Sequence, residues 1–596
     1  MNKSNLSLEN FLECQWDVVS IDIRSMYDYE RNHHIQEMIN SEDRPEVIEV
    51  LTLLQRASSM VLEPSSINCP YQALYNNHKD GSRTNLPEDF TPDEIDFFKS
   101  ILESIEETWL SARLSDIVWL CDKPRNPLYA RLAITSYIQN EINIDRWINE
   151  QVMYWERAAR LCLQLKDINN LNKIEDSVYS ALLEDYPDNT LANLWLASFL
   201  DKLYIARDKF ENIAQKLLFI ATNLKDEGNY NASRLYLELT EKIYFKLSDN
   251  VKWLDCLLMC AECYELEADS RSQNSNMVAN SFIEKAIQAY RRVPTKFRLD
   301  HDVENKISNL RHKLSISGKS SVEEMGIVSL PGVDIKDLVQ MSKEHVSNKS
   351  SLQLALLYFS GVSTITNYAS LEADAAKILS EFSLKSMFGS VHVASDGRVI
   401  AKTPALTLNK DKESYKDNLH AQMIQNFKFG ISIACKGQIL PSLDEILLEY
   451  RITKDYLEAL CFHAPIVPVG REKLLATALW LGFEYDFSNA IHLLCPQLEN
   501  IVRTQLKENG AHTSNVDPEG IEHENGLSTL MDIALVDDIF GQDLAFEIKA
   551  IFTDSLGANL RNEVAHGLLD DNSAGSTEAI YGWWLILRMV IRSLAK

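Results

Sequence analysis

The feature that most constrains this chain is a helical spacing of apolar residues that recurs along most of its length. Between residues 141 and 315, apolar side chains return at positions i, i+3, i+4 and i+7 in stretches at 144–165, 189–210, 229–247 and 280–293. This spacing places the apolar groups on one stripe of an α-helix. Polar turns such as KDEGNY separate the stretches, so the sequence predicts a series of helical hairpins resembling tetratricopeptide (TPR) pairs.

Interruptions of this pattern predict the domain organisation. A chain of 596 residues is too long for a single hydrophobic core, so we expect several domains. A stretch rich in Ser, Gly and Pro at 313–335 favours a linker, and Asp396-Gly397 predicts a β-hairpin near 391–401. The predicted class is mainly α and multidomain: an N-terminal mostly helical domain (1–140), a helical-hairpin, TPR-like scaffold (141–315), a middle helical region of small mixed α/β character (336–465) and a C-terminal domain (466–596).

The C-terminal domain contains four helical stretches of its own. They follow Pro465 and Pro468 and lie at 471–483, 487–509, 543–556 and 576–594. Short apolar helices joined by compact loops are typical of a helical bundle, so we expect four packed helices here.

Composition bounds the compartment and the partners. No apolar run reaches the roughly 18 residues that a membrane span needs, and the N-terminus has no signal-peptide pattern, so we expect a cytoplasmic protein without a membrane partner. The formal net charge of −27 argues against a protein that coats nucleic acid non-specifically, because phosphate repels an acidic surface.

Two groups of residues raise the question of a metal, and in both the interpretation without a metal is favoured. Cys256, Cys260 and Cys263 share the C-x3-C-x2-C spacing of the radical-SAM iron–sulfur motif, but they lie in an apolar helical stretch and not on a loop, which favours packing. The stretch AHTSNVDPEGIEHEN matches no ligand spacing, so a solvated loop is favoured. Its candidate ligands are His512, Asp517, Glu519, Glu522, His523 and Glu524. We therefore expect neither a metal nor a cofactor.

The stretch GANLRNEVAHGLLDDN, residues 557–572, concentrates polar residues in a predicted helix. At about 100° per residue, Leu560 and Val564 fall on the side that faces the core. Asn562 and His566 are four residues apart and point away from that side. Asn559 is placed to act as the N-cap.

These residue types suit the cleavage of a phosphodiester. The guanidinium of Arg561 offers a planar set of donors for phosphate oxygens, and His566 can move a proton near neutral pH. Asn562 can orient the imidazole. A base that deprotonates the 2′-hydroxyl of RNA lets that oxygen attack the adjacent phosphorus without a metal. The reaction also wants an acid, and a homodimer would supply a second histidine across its twofold axis.

The same stretch resembles a known superfamily. Arg561, Asn562 and His566 match the RNxxxH pattern of the HEPN superfamily (higher eukaryotes and prokaryotes nucleotide-binding), and with Gly567 they match the RNxxxHG stretch of the DUF4209 family. Residues 468–510 resemble that family's preceding helices. The resemblance implies a HEPN four-helix bundle, dimerisation through the C-terminal domain, and a metal-independent endoribonuclease acting as a toxin or anti-phage (abortive infection) effector. It also favours control by the upstream scaffold or by a regulatory protein partner.

Two questions stay open at this point. Glu499 and Arg503 lie four apart on the preceding helix, where they either brace the site around Arg561 or form an ordinary surface ion pair. The alternative function is a non-catalytic dimerisation or RNA-binding adaptor. The acidic terminal domain favours that alternative, because a nuclease needs a locally positive cleft.

Overall fold

The computed structural model describes residues 6–14, 28–75, 82–139, 141–326, 332–381, 388–394, 396–407 and 412–595. The predicted mainly α class is confirmed. The chain divides into two compact units, Met1–Ser317 and Gly318–Lys596. The boundary lies within the helix Val303–Glu323, so the stretch at 313–335 that resembled a linker begins inside a helix.

The first unit consists of helices and one small hairpin. Its helices are Leu8–Glu13, Asp28–Ser41, Pro45–Ser58, Pro92–Ile101, Thr108–Cys121, Pro127–Tyr137, Ile144–Arg146, Val152–Leu165, Ile168–Leu183, Ala192–Leu203, Phe210–Asp226, Tyr230–Lys246, Asn250–Ser272, Asn276–Arg291, Thr295–Arg298 and Val303–Glu323. A π-helix spans Trp147–Gln151, and 3₁₀ turns lie at Pro87–Asp89, Leu102–Ser104 and Arg207–Lys209. The strands Met60–Leu62 and Tyr71–Ala73 pair antiparallel.

Local sequence explains where several of these helices begin and end. The helix Pro92–Ile101 starts at Thr91, whose hydroxyl accepts a hydrogen bond from the Glu94 amide, while the Glu94 carboxylate accepts one from the Thr91 amide. The stretch predicted as one helix at 189–210 is broken instead. Tyr204 and Ala206 have φ values of 55° and 53°, a left-handed conformation that ends the helix Ala192–Leu203.

Consecutive helices from Phe210–Asp226 to Asn276–Arg291 pack against one another through short turns. Cys256, Cys260 and Cys263 lie on the helix Asn250–Ser272 and are almost fully buried, so they pack as predicted. Burial raises the pKa of the Cys256 and Cys260 thiols to about 12, which keeps both protonated at neutral pH.

The second unit carries more helices and two hairpins. Its helices are Lys336–Val346, Leu352–Phe359, Tyr368–Ser380, Glu413–Ala434, Leu440–Glu449, Lys454–His463, Glu472–Phe483, Phe487–Glu508, Leu527–Met531, Leu535–Phe540, Gln542–Phe552, Leu560–Ala565, Asp571–Ala574 and Thr577–Ser593, with a π-helix at Cys435–Ile439. The antiparallel hairpins pair Ser390–Val393 with Val399–Thr403 and Ser514–Val516 with Glu522–Glu524.

The first of these hairpins confirms the one predicted near 391–401. An Asp-Gly pair favours a type I′ turn, but this hairpin has a different turn. Gly397 has a φ of 86°, whereas Asp396 has no positive φ. The Gly397 amide donates to the Ala394 carbonyl at 2.9 Å and the Ala394 amide donates to the Arg398 carbonyl at 2.8 Å. This pattern fits a longer turn closed by a single left-handed glycine. Ser395 lies outside the described residues.

The four predicted C-terminal helices are present at Glu472–Phe483, Phe487–Glu508, Gln542–Phe552 and Thr577–Ser593. They do not have a core of their own, because one hydrophobic core runs from Val346 to Ile591. The indole nitrogen of the buried Trp584 donates to the Phe359 carbonyl at 3.0 Å, and Arg588 donates to the Ser360 carbonyl at 2.6 Å. The segments 336–465 and 466–596, predicted as separate domains, thus share one core.

No helix in the described part of the chain combines the length and the apolar character that a membrane span requires.

Candidate functional site

The polar stretch predicted as a site forms a helix of only six residues, Leu560–Ala565, called the motif helix below. Leu560 is buried and Val564 packs against the core, so the predicted core-facing side is correct. Asn559 occupies the N-cap position in the left-handed conformation, with a φ of 50°. The expected cap is absent, because the Asn559 side-chain oxygen accepts from the side-chain nitrogen Nδ2 of Asn562 at 2.7 Å and not from a backbone N–H of the helix.

Gly567 ends the motif helix and fixes where His566 lies. Gly567 has a φ of 64°, its amide donates to the Val564 carbonyl at 3.1 Å, and the next amide, of Leu568, donates to the Glu563 carbonyl at 2.8 Å. These two bonds form a Schellman motif, in which glycine satisfies the last carbonyls of a helix. The glycine of the RNxxxHG stretch therefore has a structural role, and it leaves His566 as an exposed C-cap residue.

Arg561 is held by a carboxylate from the helix Phe487–Glu508. Its Nε and Nη2 both lie 2.8 Å from Glu499 Oε2, while Glu499 Oε1 accepts from Arg503 Nη2 at 2.7 Å. The i,i+4 pair of Glu499 and Arg503 is present but largely buried, so it is not an ordinary surface ion pair, and Glu499 also contacts Arg561. Burial raises the pKa of Glu499, but the hydrogen bond from Arg503 and the charge of Arg561 outweigh it, so the pKa lies below its usual range.

The hairpin at 514–524 supports the same group of charges from the other side. Arg503 Nη2 donates to the Asn525 carbonyl at 2.6 Å, and Arg503 Nε lies 3.1 Å from Glu524 Oε2. Glu524 also pairs with Lys507. A Cβ on Gly526 would lie 3.0 Å from Arg561 Nη2, so this glycine gives the guanidinium its room. The stretch predicted as a solvated loop is an exposed hairpin, and its acidic end belongs to the site.

The structure brings some of the predicted site residues together and leaves one apart. Arg561 Nη1 donates to Asn562 Oδ1 at 3.2 Å, which joins Asn562 to the Glu499 and Arg503 pair. His566 follows one turn later, and its backbone amide donates to the Asn562 carbonyl at 3.0 Å. Among the contacts of the described residues, no side-chain hydrogen bond joins its imidazole to Arg561 or Asn562.

A second histidine lies near the motif helix in the chain fold and was missed from sequence. His420 Nε2 lies 2.6 Å from Asp554 Oδ2, and Asp554 Oδ1 accepts from the Leu556 amide at 2.8 Å. The hydrogen bond to Asp554 raises the pKa of His420 despite the opposing effect of burial. His420 and Asp554 are 134 positions apart in the sequence, so no local pattern predicts that they form a pair.

Across the described residues, no group of three His, Cys, Asp or Glu side chains is arranged to hold a metal ion. His523 in the acidic hairpin lies 3.2 Å from Asp517 Oδ2, and the Ile521 amide donates to Asp517 Oδ1 at 2.8 Å. These contacts tie the hairpin turn together and give these two side chains a structural role.

Comparison with known proteins corrects the predicted family. The family model that matches is described as a domain of unknown function (DUF7380), and the match covers residues 1–174. The predicted membership of the HEPN superfamily and the DUF4209 family is therefore wrong, because the family match lies at the other end of the chain. No curated protein and no solved structure matches the chain.

Proposed function

We propose that the protein is an endoribonuclease that cleaves RNA by attack of the 2′-hydroxyl and needs no metal ion. One observation carries the proposal: an exposed histidine, His566, lies five residues after an arginine, Arg561, that Glu499 fixes to the fold. His566 is the proton-transfer group, free to meet a substrate from solvent.

The charge around Arg561 is compatible with an anionic substrate. Within this ion-pair network the three cations of Arg561, Arg503 and Lys507 face the two carboxylates of Glu499 and Glu524. This excess of one positive charge supports the binding of a phosphate. Arg561 stabilises the phosphate, and Asn562 keeps its guanidinium in place.

The proposed nuclease acts as a homodimer, and the first unit controls its activity. One chain supplies one histidine at this cluster, so a homodimer through the C-terminal part supplies the acid that the base requires. The TPR-like helices of the first unit restrain or trigger the site through a regulatory protein partner, as suits a toxin or an anti-phage effector.

A second function, a non-catalytic RNA-binding or dimerisation adaptor, is favoured by a specific observation. Arg561 is already paired with Glu499, and the Asn562 amide is already paired with Asn559. Neither side chain is directed at His566. In an adaptor these contacts are purely structural, and RNA binds without being cut.

Purified full-length protein in EDTA distinguishes the two functions. We expect the wild type to cut RNA to products with 2′,3′-cyclic phosphate ends and to slow growth when expressed. His566→Ala should abolish both effects while leaving the melting temperature and the oligomeric state unchanged. His512→Ala, which alters another histidine near the surface of the same unit, is the matched control and should behave as wild type.

If wild type and His566→Ala behave alike in both assays, the nuclease is excluded. RNA that binds to both proteins without being cut establishes the adaptor. Scattering measurements of the same samples report whether the protein is a dimer.

A further inference from the structure

A cleft of about 810 Å³ opens in the second unit beside the loop that leads into the motif helix. The helix Glu413–Ala434 forms one wall and the hairpin Ser390–Val393/Val399–Thr403 another. Leu556, which lines the cleft, precedes the motif helix by four residues. This size is typical of sites for small ligands and single nucleotides.

The charge of the cleft differs from that of the chain as a whole. The chain contains 86 Asp and Glu residues, yet none is among the described residues that line the cleft. Lys428 lines it and is exposed, and within the described part of the chain it forms no ion pair. A lysine without neighbouring carboxylates attracts an anion such as a phosphate.

Amide side chains supply part of the hydrogen-bonding surface of the cleft, beside Ser390, His392 and Thr403, which hydrogen-bond to one another. Asn418 Nδ2 donates to the Pro404 carbonyl at 2.9 Å and to the Ser414 carbonyl at 2.7 Å, and Gln422 Nε2 donates to Asn426 Oδ1 at 2.8 Å. Asn418 Nδ2 uses both of its N–H groups and Gln422 Nε2 uses one, and these bonds hold the two side chains so that their oxygens can act as acceptors. Gln425 is exposed and adds both a donor and an acceptor.

The remaining contribution is aromatic. Phe388 lines the cleft with 72% of its surface exposed, which is a large apolar area to leave in water. Exposed aromatic rings beside amides and a cation are the common means by which proteins hold an unstacked base.

We propose that this cleft is the nucleotide subsite at which a single-stranded RNA is read; this inference rests on the proposed function. Phe388 stacks on the base, Lys428 pairs with its phosphate, and the amide oxygens of Asn418 and Gln422 accept hydrogen bonds from an amino group on the base. Adenine, cytosine and guanine carry such an amino group on the pairing edge and uracil does not. The cleft therefore selects a base with an amino group over uracil.

The test uses full-length His566→Ala protein, so that the proposed cleavage does not consume the probe. Fluorescein-labelled oligo-A, oligo-C and oligo-U of about eight nucleotides, enough to span a typical single-strand site, are titrated and binding is followed by anisotropy. Oligo-A or oligo-C should bind about threefold to tenfold more tightly than oligo-U, as expected for one or two added hydrogen bonds.

Two substitutions and a matched control locate the binding. Lys428→Glu should weaken binding of every oligonucleotide about tenfold or more, since it reverses a charge at the phosphate. Gln422→Leu removes one of the proposed acceptors and should weaken oligo-A and oligo-C more than oligo-U. Lys416→Glu makes the same charge reversal on the same helix outside the cleft, and it should bind within about twofold of the parent. Equal melting temperatures exclude misfolding.

The subsite is excluded if Lys428→Glu binds the oligonucleotides as tightly as the parent does, or if Lys416→Glu loses as much affinity as Lys428→Glu. It is also excluded if polyglutamate competes for binding as well as RNA does. Failure of the subsite proposal can be told apart from failure of the nuclease proposal. If the wild type cuts RNA and the cleft variants bind RNA as the parent does, only the subsite is overturned. Wild type that cuts nothing but keeps the base preference overturns the nuclease and leaves the subsite.

Discussion

Gly557, just before the motif helix, shows how a single residue shapes the site. A Cβ at this position would lie 1.8 Å from the Ala550 carbonyl oxygen, because the loop doubles back on the helix Gln542–Phe552. The Ala558 amide donates to the same carbonyl at 3.2 Å. Gly557→Ala should therefore force the loop outward and lower the free energy of unfolding by about 1–3 kcal/mol, as overpacked substitutions do. Urea denaturation measures this loss.

Gly430 provides the opposite case in the same unit. It lies in the helix Glu413–Ala434, and a Cβ added at this position would meet no atom within 4 Å. Gly430→Ala should therefore raise the free energy of unfolding by about 0.5–1 kcal/mol, because alanine loses less backbone entropy than glycine in a helix. If both alanine variants change the free energy of unfolding in the same direction, the close approach of Gly557 to the Ala550 carbonyl is not what makes alanine unfavourable at position 557.

Glu499 makes a pH-dependent contribution that follows from its paired state. Its pKa is lowered in the folded protein, so the stabilisation is present above the unfolded pKa of about 4.3 and is lost as the pH falls through the folded value. Glu499→Gln should cost about 1–3 kcal/mol at neutral pH, since the Arg503 and Arg561 charges lose their partner. The cost should shrink steadily as the pH is lowered below about 4.

Denaturant titrations of wild type and Glu499→Gln from about pH 3 to about pH 7, a range that spans the titration of carboxylates, provide the measurement. Glu519→Gln, which neutralises an exposed glutamate of the nearby hairpin, serves as the control and should change little at any pH. A difference between wild type and Glu499→Gln that does not depend on pH would show that Glu499 is not charged in the folded protein.

At the scale of elements, apolar periodicity predicts the long helices well and the motif helix poorly. The helices Phe487–Glu508 and Thr577–Ser593 begin and end within two residues of their predicted bounds, because a continuous stripe and a capping residue, Asp486 or Ser576, mark them. The motif helix has only six residues because left-handed Asn559 and Gly567 enclose it, and a side-chain pattern does not report backbone conformation.

The site itself was only half predictable. Arg561, Asn562 and His566 are close together in sequence, so their pattern could be seen. The residues that hold them lie far away in the sequence. The contact of Glu499 with Arg561, 62 residues away, was expected only as one of two alternatives, and that of His420 with Asp554, 134 residues away, was not expected. Such pairs depend on how helices pack, which no local spacing records.

The His420 and Asp554 pair links the helix Glu413–Ala434 to the loop before the motif helix, and its effect on stability should depend on pH from both sides. The raised pKa of His420 stabilises the fold below the unfolded histidine pKa of about 6.5, and this stabilisation is lost as the pH rises through the folded value. The lowered pKa of Asp554 stabilises above about pH 4 and is lost in acid. Asp417 adds to the effect on His420, and Lys549 opposes it.

His420→Gln should therefore lower the melting temperature most near about pH 5 to 6 and less at about pH 9. His463→Gln alters an exposed histidine of the same unit for which the described contacts include no carboxylate. Its melting temperature should differ from that of the wild type by the same amount at every pH in this range. If the difference in melting temperature between His420→Gln and the wild type is also independent of pH, the ion pair contributes nothing to stability.

At the scale of the whole molecule, the family match and the candidate site lie in different units. The match ends at residue 174, inside Met1–Ser317, whereas Arg561, Asn562 and His566 lie in Gly318–Lys596. The comparison therefore describes a part of the chain that contains none of the proposed catalytic residues.

The shared core of the second unit predicts which fragments fold. A fragment of residues 466–596 lacks Phe359, against which Trp583 and Trp584 pack. It also removes the Thr366 amide, which donates to the buried Glu547 at 2.7 Å. Burial raises the pKa of Glu547, and the fragment leaves this carboxylate with the Tyr581 hydroxyl but without the Thr366 amide, which is costly for a buried group.

We therefore expect the fragment 318–596 to unfold cooperatively and the fragment 466–596 to behave as a molten globule. Near-UV circular dichroism should show fixed tryptophan signals for the longer fragment only, and the shorter one should bind the dye ANS. The alternative, that residues 466–596 are an autonomous bundle, predicts sharp unfolding of both fragments at similar temperatures. That outcome would mean that the contacts of Trp584 and Glu547 with residues 359–366 add little to the core.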